Sequence, residues 1–109
     1  MFVFNKNIPS DRLGERESRK ILAYNGSLMM VEVKMNKDGV GAPHAHPHEQ
    51  ISYIAAGSFR FTVGDETQVV SAGDSLYMPP NVVHSTVALE DNSIVVDIFT
   101  PIREDFLKK

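Results

Sequence analysis

The stretch Ala42-Pro-His-Ala-His-Pro-His-Glu-Gln50 holds three of the four histidines of this 109-residue chain, and the fourth, His84, closes the run Pro79-Pro-Asn-Val-Val-His84. On an extended backbone, residues two apart point to the same side. His44 and His46 can therefore aim their imidazoles at one point, and Gln50 can join them after a bend near Pro47. His84 must come from a different strand, and a barrel carrying all four side chains on its inner face supplies that geometry. Neutral imidazole is the commonest protein metal ligand, and three imidazoles plus an amide oxygen suit a divalent first-row transition metal rather than calcium or magnesium. Histidines at this density also occur in solvated loops. His84, and the turn residues that punctuate both segments, weigh for a metal site.

Outward from that site the chain reads as short strands. Gln50 is followed by Ile51-Ser-Tyr-Ile-Ala-Ala56 and a turn at Gly57, and a second turn at Ala72-Gly73-Asp74 opens the strand that leads to His84. Segments 58–64, 67–73, 75–80, 82–89 and 92–100 are each bounded by Gly, Pro, Asn or Asp, and strands of this length at such regular spacing predict an all-β sandwich or barrel. In 58–63, Phe59, Phe61 and Val63 alternate with Ser58, Arg60 and Thr62, the pattern of a half-buried strand. Before the site, 20–26 and 27–35 predict a hairpin turning at Asn25-Gly26, with Met29, Val31, Val33 and Met35 on one face as core rather than ligands. Residues 36–43 read as a Gly- and Pro-rich connection. The charged run from Ser10 to Lys20 reads as solvated surface, with Ser10 or Asp11 able to cap a helical turn.

A length of 109 residues allows one domain, residues 1–109, with one core. Hydrophobic residues make up 42% with no long apolar run, and the first residues lack the basic segment and apolar length of a signal peptide, so no membrane span is expected and the cytoplasm is the default location. With no cysteine, disulfides and thiolate ligands are excluded, which leaves imidazole and oxygen as metal donors. A net charge of −3 with dispersed lysines and arginines argues against nucleic acid as a partner.

The strand before the C-terminus carries a second clue. In Ile94-Val-Val-Asp-Ile-Phe99, Asp97 shares a face with Val95 and Phe99, and a carboxylate in a buried strand is costly unless paired, hydrogen-bonded or used. Arg103 follows six residues later. Two readings stand: a structural Asp97–Arg103 ion pair, or an acid–base group plus an anion clamp beside a metal.

These segments resemble the cupin family, whose first motif reads HxHx(3)E then x(6)G and whose second reads Gx(5)PxGx(2)Hx(3)N. His44, His46, Gln50 and Gly57 (motif 1, about 39–57) and Gly73, Pro79 and His84 (motif 2, about 73–88) fall in step. Gln50 stands at the Glu position, Asp38 where the first motif wants its leading Gly, Asn81 for the second motif's Gly, and Ala88 for its Asn. Asn is among the few residues that accept a left-handed backbone. The spacing passes over His48 and Glu49. Over most of the chain the resemblance narrows to the small cupins of bacterial pectin and alginate breakdown. It implies a double-stranded β-helix, or jelly-roll barrel, that opens 4,5-unsaturated uronate rings to linear 5-keto-4-deoxyuronates. The implied ligands are His44, His46, Gln50 and His84, with Asp97, Phe99 and Arg103 as active-site residues. Small cupins commonly pair their sheets, so a homodimer is expected.

The chemistry of the residues agrees. Three imidazoles and a neutral amide leave a divalent ion's charge uncompensated, so the site should attract an anionic, chelating sugar acid, and Gln50 thereby joins the catalytic group as well as the ligands. Arg103 suits a bidentate grip on the carboxylate and Asp97 suits proton transfer. Nickel, zinc, iron, manganese and cobalt all accept this ligand set. An iron(II) cupin dioxygenase and a non-enzymatic small-molecule-binding cupin are the rival readings.

Overall fold

The computed structural model describes residues 1–107. After a single 3-10 turn at Asn5–Asn7 it runs through β1 (Asp11–Arg12), β2 (Glu17–Asn25), β3 (Leu28–Met35), β4 (Val40–His44), β5 (Glu49–Ala56), β6 (Ser58–Val63), β7 (Glu66–Ser71), β8 (Ser75–Met78), β9 (His84–Ala88), β10 (Ser93–Thr100) and α1 (Glu104–Leu107). Two antiparallel sheets result, in the orders β1-β2-β3-β10-β5-β8 and β4-β9-β6-β7. The chain passes between sheets from β3 to β4, β4 to β5, β5 to β6, β7 to β8, β8 to β9 and β9 to β10, which is the jelly-roll barrel expected from the sequence.

Alternation drives the closure. Met29, Val31, Val33 and Met35 are buried along β3, and Ile54, Val95 and Phe99 join them from β5 and β10. Phe59, Phe61 and Ala88 face them from the other sheet within one apolar cluster. Each sheet hides one face and wets the other, so the strands read as period two. Gly57 makes the tightest crossing, at φ +71°, with Ser93 lying where a side chain would sit: a Cβ there would fall 2.1 Å from Ser93 Oγ. Asp38 (φ +72°) and Asn81 (φ +64°) adopt the left-handed backbone at the two places where the cupin motifs carry Gly.

Two expectations are corrected. No helical turn begins at Ser10 or Asp11: Asp11 and Arg12 pair with Arg19 and Ser18 as a short edge strand, and β2 starts at Glu17, three residues before the expected strand. The connection 36–43 contains β4, whose Val40 and Gly41 pair with Val87 and Thr86 before an irregularity carries the chain to His44 opposite His84. Pro43 is tolerated there because β4 is an edge strand and gives up no central ladder bond. Among the described residues no helix is long and apolar enough to cross a membrane.

Candidate metal centre

Strand pairing delivers the histidines. His44 ends β4 and His84 begins β9 as register partners, with ring centroids 4.3 Å apart. His46 lies beyond β4, its ring 4.9 Å from His84 and 5.5 Å from His44. One ligand atom from each of the three falls within 4.8 Å of the others, so the group could hold a metal ion. His46 and His84 are buried whereas His44 is exposed, and the cluster opens on the His44 side.

Hydrogen bonding orients all three rings. His44 Nδ1 lies 2.9 Å from the Ala42 carbonyl oxygen, His46 Nδ1 3.1 Å from that of His48, and His84 Nδ1 3.1 Å from that of Val82. A carbonyl oxygen can only accept, so each Nδ1 carries the proton and each Nε2 turns a lone pair toward the centre. His84 Nε2 is buried without a partner among the described residues. Burial is also the main reason why the His46 imidazole titrates below its usual range and His84 is pushed down to about 4, which keeps both in the neutral form that binds metal.

Gln50, buried at the start of β5, puts Oε1 3.0 Å from His46 Nε2. Its Nε2 donates to Ser52 Oγ at 3.0 Å, and Ser52 Oγ donates to Asp97 Oδ1 at 2.6 Å. An ionised Asp97 can only accept, so Ser52 gives its proton there and must accept from Gln50, which turns the amide oxygen toward His46. Two acceptors, His46 Nε2 and Gln50 Oε1, then meet at hydrogen-bond distance with no proton between them. A cation at this point resolves the conflict. The donor set therefore fits a metal.

The centre opens on a cavity of about 450 Å³, within the usual size for small-molecule sites, whose walls include His44, Gln50, His84, Asp97, Phe99 and Arg103. Phe99 packs edge-on against His46, with centroids 5.8 Å apart. Asp97 is partly buried, and burial pushes its carboxyl up to about 6, against the opposing pull of Ser52, Gln50 and Arg103. The expected alternative of an Asp97–Arg103 ion pair is not formed. Arg103 instead holds Asp105 through Nε at 3.0 Å and Nη2 at 2.9 Å, with its guanidinium over the rings of Phe106 and Phe99. That leaves the Nη1–Nη2 edge for a ligand. His48 lies outside the three-histidine group, and Glu49 faces outward to accept from the Tyr77 hydroxyl.

The family model for the cupin domain matches residues 31–99. The chain is a cupin. Over 107 residues, 97% of each chain, this cupin is 38% identical to the pectin degradation protein KdgF of Dickeya dadantii (strain 3937). Its fold matches the structure of KdgF from Halomonas sp. with a TM-score of 0.94 and 36% identity, covering 97% of both chains. An RmlC-like cupin from Shewanella frigidimarina matches at a TM-score of 0.91 and 37% identity, over 96% of this chain and 94% of that one.

The cupin's cavity is also lined by Glu17 and Arg19, from the charged run expected to be solvated surface, and by Phe106. Parity was the available signal: Ile21 packs against the core, and Glu17 and Arg19 share its face of β2.

Proposed function

We propose that this cupin is a metal-dependent enzyme that opens the ring of 4,5-unsaturated uronate monosaccharides from pectin or alginate breakdown, giving linear 5-keto-4-deoxyuronates. One observation carries the reading: four neutral donors converge at the wall of a cavity that also holds a carboxyl and a guanidinium placed for different tasks. Near full-length similarity to a pectin degradation protein supports the substrate class.

His44, His46, Gln50 and His84 are the proposed ligands of nickel, zinc, iron, manganese or cobalt. When bound, such an ion supplies Lewis acidity and a positive charge that the neutral ligands do not offset. The reaction is an isomerisation. The C1 hydroxyl loses its proton, the bond from C1 to the ring oxygen breaks, and C4 gains a proton, leaving an aldehyde at C1 and a ketone at C5. Asp97 is the proton-transfer group, because a carboxyl titrating near 6 can both take and return a proton at neutral pH. Arg103, steadied by Asp105, receives the substrate carboxylate on its free edge. Phe99 walls the cavity beside His46 and keeps water from the reacting face.

The test is loss of the 4,5 double-bond absorbance on adding metal-loaded protein to unsaturated galacturonate under nitrogen. Turnover without oxygen supports ring opening. Turnover that requires oxygen supports the dioxygenase, and no turnover of any unsaturated uronate supports a binding protein.

A homodimer is also proposed. On the outer face of the larger sheet Met30, Ile98, Ile51 and Tyr77 lie in one register row, and Val96 pairs with Tyr53 beside it. Ile51, Tyr53 and Tyr77 are each about half exposed, next to the free edge of β8, and a second copy is the proposed cover.

A further inference from the structure

We infer that Arg19, with Glu17 beside it on β2, forms the sugar-hydroxyl end of the cavity, reading the C2 and C3 hydroxyls of a uronate whose carboxylate lies against Arg103. The inference rests on the proposed function and extends it to substrate selection.

Register places the pair. Across the larger sheet, Gln50 lies opposite Phe99, Ser52 and Val31 lie opposite Asp97, and Arg19 lies opposite Val33, which faces Val95. Going away from the histidines, the inward rows therefore carry Gln50, then Asp97, then Arg19, then Glu17. Adjacent rows are two residues, about 7 Å, apart along the strands, close to the span of a pyranose with its substituents. A sugar acid at the Asp97 level thus meets Arg19 and Glu17 at its far side.

Both side chains are placed for a polar ligand, and among the described residues neither makes an ion pair. Arg19 Nε is buried with no hydrogen-bond partner among the described residues. The one ion pair among those residues is Arg103 with Asp105, so Arg19 and Glu17 form no direct ion pair. Glu17 is partly buried, which raises its carboxyl above the usual range against the opposing pull of the nearby Arg19 charge. Leaving a buried donor such as Arg19 Nε without a partner is costly, and sugar hydroxyls, which accept from Arg and donate to Glu, suit both side chains.

The guanidinium is also held in place. Its carbon lies 3.9 Å from the centroid of Phe106, and that of Arg103 lies 4.1 Å from the same centroid. One ring on α1 thus fixes two like charges at neighbouring points on the cavity wall, so Arg19 loses little freedom on gripping a ligand.

Galacturonate and mannuronate lose their C4 and C5 centres on forming the 4,5 double bond, and the unsaturated sugars then differ only at C2. That makes them the probe. Relative to the parent, metal-loaded Arg19→Met should show a KM for unsaturated galacturonate raised roughly tenfold or more and kcat changed less than about threefold. The ratio of kcat/KM between the two 2-epimers should shift by about fivefold or more, and Arg19→Lys should recover part of each change. Glu17→Gln, which keeps size and shape, should shift the same ratio and serves if Arg19→Met does not fold, as judged by thermal melting and metal content. Parent values of KM and of the epimer ratio in a folded Arg19→Met or Glu17→Gln protein overturn the inference while the proposed function stands. A parent protein inert toward both sugars overturns the function and the inference with it.

Discussion

An amide at position 50 performs a task that a carboxylate cannot: it donates to Ser52 while presenting its oxygen to His46. With Glu there, the single Ser52 proton would face two carboxylates, and the ion's charge would be partly neutralised. Gln50→Glu should therefore retain metal, measured by elemental analysis, yet lower kcat by about tenfold or more; a variant as active as the parent would make the amide incidental. Asp97 is tested in two ways. Asp97→Asn should lower kcat by roughly 10²-fold with a smaller change in KM, the scale expected for a general acid or base. Its pH effect on folding has a definite sign. The folded-state pKa is raised from 3.8 to about 6, so the carboxyl's contribution to stability is fully present below about 3.8 and is lost as pH rises through 6. Metal-free Asp97→Asn should thus match the parent in urea unfolding near pH 4 and exceed it by about 1–3 kcal/mol at pH 8. A less stable variant at pH 8 would mean that ionised Asp97 has a structural role.

Among the elements, the β5–β6 crossing at Gly57 is the least tolerant. A methyl group there would meet Ser93 at a backbone angle that L-residues rarely adopt, so Gly57→Ala should cost about 3 kcal/mol or more in urea unfolding. A cost under about 1 kcal/mol would contradict this packing. The alternation in β3 and β6 was legible because Met29, Val31, Val33 and Met35, like Phe59 and Phe61, are buried on one face, and strand spacing implied a sandwich or barrel that the resemblance carried by the two histidine segments narrowed to a jelly roll. β4 was not legible because Gly41 and Pro43 break its pattern, and it pairs only at an edge. Arg19 was hidden for another reason: charge at the end of a mixed-charge run reads as solvated, and only the parity set by Ile21, together with Phe106 folding back from α1, turns it inward. The partner of Arg103 was equally illegible. Asp97 and Asp105 were both in reach along the chain, and the short α1 places Asp105 on the guanidinium.

For the whole molecule, the apolar outer row predicts a two-fold assembly. The parent should sediment as a dimer, and Ile51→Glu, which puts a charge amid Ile98 and Tyr77, should sediment as a folded monomer; a monomeric parent would contradict the proposed cover. The central claim, however, concerns chemistry, and its most direct measurement follows the atoms. Metal-loaded protein is mixed with unsaturated galacturonate in deuterium oxide and observed by proton NMR beside protein-free and Asp97→Asn controls. The expected result is loss of the C4 alkene signal faster than in either control, with deuterium entering at C4 and a linear 5-keto product forming without oxygen. An alkene signal that persists as long as in the protein-free control would contradict the account.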